Sequence, residues 1–325
     1  MRRREFITLL GGAAAFWLYP ARAQQPPIPV IAFLRGGPLA ASEYVVNGFR
    51  QGLNETGYID RQNVVVEYHS VADQAPQLSG LIAEFTRRKV ALIVGNTPSA
   101  HAVKASGTTI PIVFASGGDP VSDGLVPSIN RPGGNVTGVV FFNAVLGAKR
   151  IELLRQLVPG AATIAMLVHP GQANTEADRR EAQAAAQSIG KRLVVFDIGT
   201  ERDIETAFSA FTGQSAGGLL VGAGGFLNTH REKVIALAAR HAIPAIYAQR
   251  EAVLAGGLMS YGASIPGAYR QAGVYAGRIL KGEKPGNLPV VQASTFEFAI
   301  NLKTAKALGL EFHPQLLATA DEVVE

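Results

Sequence analysis

The chain contains no cysteine in 325 residues. That excludes disulfides, zinc–thiolate sites, a cysteine nucleophile and a lipid-modified cysteine anchor. Tryptophan is almost missing too: Trp17 stands alone, and aromatics make up 7% of the chain. So few stacking platforms argue against a nucleic-acid binder. Charge points the same way. Residues 1–23 carry Arg2, Arg3, Arg4, Arg22 and Glu5; setting them aside leaves 26 basic against 24 acidic side chains, +2 in place of the formal +5. A balance that even makes no footprint for nucleic acid. Close metal pairs are lacking as well. His69, His101, His169, His230, His241 and His313 form no HExxH and read as surface or capping residues. No serine sits in GxSxG, no P-loop is present, and no Ser–His–Asp set follows from spacing. Gly222-Ala223-Gly224-Gly225 approaches the dinucleotide fingerprint, but Leu227 takes the third glycine position. No catalytic residue, metal or cofactor is expected.

What remains is globular: 47% hydrophobic and 17% charged residues, in a length that suggests about two domains. Residues 1–23 read as a twin-arginine signal peptide. Arg3-Arg4-Glu5-Phe6-Ile7 is followed by the apolar run Ile7 to Pro20 and the small-x-small site Ala21-Arg22-Ala23. That run falls short of the ~20 residues a bilayer span needs. Cleavage after Ala23 and a periplasmic location are expected.

Beyond it, strands and helices alternate. Strands are expected at Val30–Leu34, Val64–Tyr68, Ala91–Val94 and Ile112–Ala115, with helices at Glu43–Thr56, Pro76–Arg88 and the stretch ending at Lys104. Apolar Val46, Phe49 and Leu53 recur at helical spacing until Gly57 stops the first helix. The pattern starts again with a helix at Ala148–Leu157 and continues to a strand at Ala245–Tyr247. A further strand, Gly257–Tyr261, and a helix, Pro266–Leu280, follow it. Two Rossmann-like α/β lobes with parallel sheets are expected. The stretch Ile110 to Asn143 breaks the alternation with a strand, a Gly/Pro-rich loop and a second strand. It reads as the bridge between lobes and the rim of a ligand cleft, since open α/β sheets bind ligands beyond strand ends where the winding reverses.

Candidate ligand-binding residues therefore sit at strand ends. Thr97 and Ser99 lie at a helix start, where free N–H groups favour an anion, although both residue types also cap helices. Ser116 and Asp119 end the fourth strand; Asp119 can pair with an ammonium or form an Asx-turn before Pro120. Asn143 lies at the bridge and Asn174 at a helix start. Tyr261 offers a ring face and a hydroxyl, and Arg35 a cation in the first exit loop.

Longer motifs carry a resemblance. Gly118-Asp119-Pro120 with Gly124-Leu125-Val126, Arg131 to Gly138, Gly256 to Gly262, Arg278 to Pro285, Ile300 to Leu310 and Ala320 to Glu325 resemble the tryptophan/tyrosine-type substrate-binding proteins of ABC transporters. The similarity runs over essentially the whole mature chain. It implies a type I periplasmic-binding-protein fold, with two lobes, three crossovers and a closing cleft, and no catalysis. Residues 28–141 and 257–285 are expected in lobe 1, residues 142–256 and 286–325 in lobe 2. The implied function is a receptor that captures a small polar ligand, an amino acid or small organic acid, and delivers it to a membrane ABC permease. A ligand-presenting sensor is the alternative; a periplasmic α/β enzyme would need a nucleophile–base pair that is not found. Departures fall where a pocket would be. Gly224-Gly225 replaces a frequent Asp-Pro, His169-Pro170-Gly171-Gln172 replaces Asn-Pro-Asn, and Arg35 replaces Ser. Together they favour a ligand that is more anionic or less cationic.

Overall fold

The computed structural model describes residues 27–35, 43–70, 75–141, 146–171, 175–213 and 217–325. The first elements are β1 (Val30–Arg35), α1 (Glu43–Glu55), β2 (Val65–Ser70), α2 (Ala75–Arg88), β3 (Leu92–Asn96), α3 (Thr97–Ser106), β4 (Ile112–Ser116) and β5 (Val136–Val140). The chain continues through α4 (Gly147–Leu157), β6 (Thr163–Val168), α5 (Thr175–Ser188), β7 (Arg192–Asp197), α6 (Glu201–Gly213) and β8 (Gly218–Val221). Next come α7 (Gly225–Thr229), α8 (Arg231–Arg240), β9 (Ala245–Tyr247), α9 (Arg250–Leu254), β10 (Met259–Ala263) and α10 (Ile265–Leu280). It ends with β11 (Val291–Gln292), β12 (Phe296–Asn301), α11 (Leu302–Ala307), α12 (Pro314–Leu317) and β13 (Glu322–Val324).

The strands make two sheets, ordered β11-β5-β4-β3-β1-β2 and β13-β12-β10-β9-β8-β6-β7. Each pairing is parallel except that of β10 with β12. Parallel sheets need cover on both faces, and the side chains divide accordingly. Ile31 and Phe33 of β1 pack with α1 and α10, whereas Ala32 and Leu34 pack with α2 and α3. In the second sheet Ile164, Met166 and Val168 of β6 pack with α4 and α5, and Ala165 and Leu167 with α6 and α8. Each lobe is thus a three-layer α/β unit, as expected.

The chain crosses between sheets three times: from β5 to α4, from β10 to α10, and from β11 to β12. Two expected boundaries move. Residues 257–263 were expected in lobe 1, but β10 pairs with β9 and β12 in the second sheet. The switch comes after it, at Ser264, whose hydroxyl accepts from Gly267 N–H (3.2 Å) and caps α10. Residues 286–293 were expected in lobe 2, but Leu288 and Val290 are buried against the first sheet and β11 pairs with β5. The Thr137 hydroxyl donates to Leu288 O (2.7 Å) and holds that return strand in place.

Helix α10 is locked onto α1. Gly48 and Gly52 on α1 face Pro266, Arg270 and Gly273 on α10 with backbone against backbone: a methyl added at Gly273 would lie 2.7 Å from Leu53 N. Smaller differences concern helices. The short α7 precedes α8 and meets it at His230, and α7, α9 and α12 were not foreseen. His313 caps α12, its Nδ1 accepting from Gln315 N–H (3.3 Å).

Candidate ligand-binding cleft

The carboxyl ends of β1, β3 and β4 form the wall of lobe 1. Here two expected residues, Thr97 and Ser116, come together. The Thr97 hydroxyl, in the first turn of α3, donates to Ser116 Oγ (2.8 Å), which also accepts from Gly118 N–H (3.1 Å). Arg35, at the end of β1, donates from Nη1 to Tyr269 Oη (3.0 Å). Its guanidinium carbon lies 5.5 Å from the Tyr269 ring centroid. Tyr44, at the start of α1, lies beside Arg35. Burial, with Glu251 of α9 adding to it, pushes the Tyr44 hydroxyl up to about 12, while Arg35 and Arg231 act the other way. Groups of both lobes therefore lie within electrostatic range of one another.

Two other expected residues are occupied locally. Ser99 is 1% exposed. Its hydroxyl donates to Asn96 Oδ1 (2.9 Å), the N-cap of α3, and its side chain packs where Gly95 leaves room. Asp119 is exposed, and its Oδ1 accepts from Val121 N–H (3.0 Å). That is the Asx-turn ahead of Pro120, with Asp123 N–H closing on the Asp119 carbonyl (2.9 Å). Asn143 and Asn174 lie outside the described residues, as do residues 1–23. Tyr261 lies in β10, in lobe 2, with its ring 6.3 Å from that of Phe296 and 6.4 Å from that of Phe298.

Lobe 2 contributes a small hollow at the ends of β8 and β9, lined among others by Gly222, Ala223, Gly224, Asn228, Arg231 and Gln249. Gly224, at φ 155 and ψ 156, adopts a conformation open essentially to glycine alone. An aspartate would be strained there, and the turn lets α7 begin at the hollow. Arg231 donates from Nη1 to Asn228 O (3.2 Å), while its Nε and Gln249 Oε1 are buried without a partner among the described residues.

Behind the hollow lies a charge pair that strand-end reasoning missed. Arg150, in the first turns of α4, is 0% exposed, and its Nε donates to the Tyr261 carbonyl (2.7 Å). Asp178, in the first turn of α5, is 2% exposed and accepts from Ala223 N–H. Burial lowers the Arg150 pKa to about 10 against the opposing pull of Asp178 and Tyr261. Burial likewise raises Asp178 to about 6, against Arg150 and the Ala223 N–H. A signal existed. Arg150 is in phase with buried Leu153, Leu154 and Leu157, and Asp178 with Thr175, Ala182 and Ala186, so each stands on the apolar stripe of its helix.

Among the described residues no three His, Asp or Glu side chains converge on a metal position, and no helix is long and apolar enough to cross a membrane. A family model for ABC transporter substrate binding proteins matches residues 28–324. The chain belongs to that family. A tyrosine-binding protein of Clostridioides difficile (strain R20291) is 28% identical over 265 residues, 81% of this chain and 76% of the relative. Among solved structures, an ABC domain in complex with L-Trp from Streptococcus pneumonia superposes with a TM-score of 0.81 at 25% identity, covering 91% of this chain and 99% of that one. The ligand-free, open structure of a substrate-binding protein with adhesive properties from Clostridium difficile gives 0.71 at 26% identity, with the same coverage. The fold is that of type I periplasmic binding proteins, and the chain is a solute receptor of the ABC-transporter kind. The family and these neighbours are binding proteins, not enzymes.

Proposed function

We propose that the mature protein is a periplasmic receptor that closes its two lobes on an amino acid or small organic acid and hands it to a membrane ABC permease. The observation that carries this reading is the meeting of polar groups from both lobes at facing strand ends: Thr97, Ser116 and Arg35 with Tyr44 and Tyr269 on one side, Arg231 and Gln249 on the other. A ligand bridging two walls stabilises the closed state by its contacts to both. The better overlap with the L-Trp complex (0.81) than with the open, ligand-free relative (0.71) supports a closed arrangement. Tyrosine and tryptophan in the relatives' descriptions favour an amino acid. Export by the twin-arginine route rests on Arg3-Arg4 and Ala21-Arg22-Ala23, and places the mature N-terminus at Gln24. The test is a thermal-shift and calorimetric screen of protein refolded free of ligand, against the L-amino acids and small organic acids. One class should raise the melting temperature and bind with a 1:1 stoichiometry. A full panel without a shift refutes the reading.

A further inference from the structure

Lobe 2 brings a cation to the hollow, and its bonds do not neutralise it. Arg231 opens α8 and lines the hollow. Its Nη1 donates to the Asn228 carbonyl (3.2 Å), and its Nε is buried without a partner among the described residues. The ion pairs of this lobe use Arg155, Arg179, Lys233 and Arg250, and Arg231 joins none among the described residues. A carbonyl satisfies one donor but leaves the charge uncompensated. The helix dipole adds to the cost, since a cation in the first turn is disfavoured. Gln249 lines the same hollow, and its Oε1 is likewise buried without a partner.

Lobe 1 presents a second cation. Arg35 ends β1 and is held by the hydroxyls of Tyr269 and Tyr44. Arg35 and Arg231 both act on the Tyr44 hydroxyl, so one guanidinium from each lobe lies within range of the same point. The carboxylates at hand are poor matches for Arg231. Burial raises the Glu251 pKa and Glu297 adds to it, so the charged form of Glu251 is disfavoured. Asp178 is engaged with the Ala223 N–H behind the strand end, and Asp119 with its own turn. Two cations brought together as the lobes close repel each other, and an anion between them turns that cost into attraction.

We infer that the ligand is a small dicarboxylate that gives one carboxylate to Arg35 on lobe 1 and the other to Arg231 on lobe 2, with Arg231 setting the preference. The fork of a guanidinium matches a carboxylate through two parallel bonds. Gln249 adds an amide beside the second carboxylate. Only the closed state engages both cations at once, so a dianion favours closure by its contacts to both walls. The inference rests on the cleft-receptor reading and narrows it to an acid. It departs from the relatives' amino acids on the charge of this chain's own walls.

The experiment compares diacids with their half-amides. Calorimetry on ligand-free protein measures succinate, glutarate, L-aspartate and L-glutamate, the half-amide of each, simple monocarboxylates and the neutral L-amino acids. A dicarboxylate should bind best, and its half-amide should bind about tenfold to a hundredfold more weakly, the range for a lost charge-assisted bond. In Arg231→Gln the diacid and its half-amide should bind alike within about threefold. Arg231→Lys keeps the charge without the fork and should recover part of the preference. Melting temperatures of the ligand-free forms control for folding, and the wild-type comparison stands without any variant. A half-amide that binds wild type as tightly as its diacid overturns the inference, as does a folded Arg231→Gln protein that keeps the full preference. A best ligand among the neutral amino acids or monocarboxylates overturns it while leaving the receptor reading standing. Protein that binds no amino acid and no organic acid overturns both.

Discussion

Gly52 tests the frame that holds the cleft, because α10 is the segment that returns from lobe 2 and clamps onto α1. A methyl added at Gly52 would sit 2.7 Å from the Arg270 carbonyl carbon and 3.0 Å from Val274 N, and nearer still to Arg270 O. These are backbone atoms, so no rotamer change relieves the overlap. The helices must separate by about 1 Å, and a gap of that size forfeits a quarter to a half of each contact's ~0.1–0.2 kcal/mol. Over some tens of atom pairs, with the strain of overpacking, the loss is roughly 2–4 kcal/mol. Replacing glycine by alanine within a helix returns about 1 kcal/mol. The steric term wins, and Gly52→Ala should lose roughly 1–3 kcal/mol, or about 3–10 °C in melting temperature. Gly80 in α2 is the control, since a methyl there meets nothing within 4 Å. Gly80→Ala should gain up to about 1 kcal/mol from the same propensity. Far-UV circular dichroism of ligand-free protein reads both, since Trp17 is the chain's one tryptophan and lies outside the described residues. Equal or raised stability in Gly52→Ala would refute the backbone contact between α1 and α10.

Asp119→Ala should lower stability by about 0.5–1 kcal/mol through loss of its turn bond, with affinity in the folded protein unchanged; a tenfold weaker ligand affinity by calorimetry would return Asp119 to the binding surface. Asp178 predicts a pH effect of definite sign: its folded pKa of about 6 exceeds the ordinary 3.8, so the folded state holds the proton more tightly. The resulting stabilisation is full below the ordinary value and is lost as pH rises through about 6, so Asp178→Asn should gain on ligand-free wild type by about 2–3 kcal/mol between roughly pH 4 and pH 7. Urea unfolding at both pH values checks this, and a difference that does not change with pH sinks it.

Much of the fold was legible because parallel strands covered on both faces must be continuous apolar runs. Ile112–Ala115 and Thr163–Val168 announce themselves in that way, and both are buried throughout. The crossing points were harder. Gly256-Gly257 is a stronger break in the sequence than Ser264-Ile265-Pro266, yet the chain changes lobe at the second. Which sheet a strand joins depends on partners far along the chain, and nothing near Met259 states that it will pair with Ile246 and Ile300. Residues 286–293 are similar. Their place is set by Thr137 and β5, more than a hundred residues earlier, while their own strand is two residues long.

For the proposed cleft, the rule that ligands gather at strand ends singled out Thr97, Ser116, Arg35 and Tyr261, because topology alone decides where those ends point. It could not sort roles within the edge. Ser99 and Asp119 carry the groups that bind ligands, but the same groups serve helix caps and turns, and here the Ser99 hydroxyl donates to the N-cap residue Asn96 while Asp119 accepts from Val121 N–H. Arg150 and Asp178 were passed over for the opposite reason. Scattered charges were assigned to solvated faces, and a helix's phase was used only to place its apolar residues. Read for exceptions, the same phase marks both: a charge that keeps step with Leu153, Leu154 and Leu157, or with Ala182 and Ala186, has no solvent to face. A buried ion must be neutralised or paired. Neither ion here is paired with the other, and both begin their helices at the edge where the lobes meet.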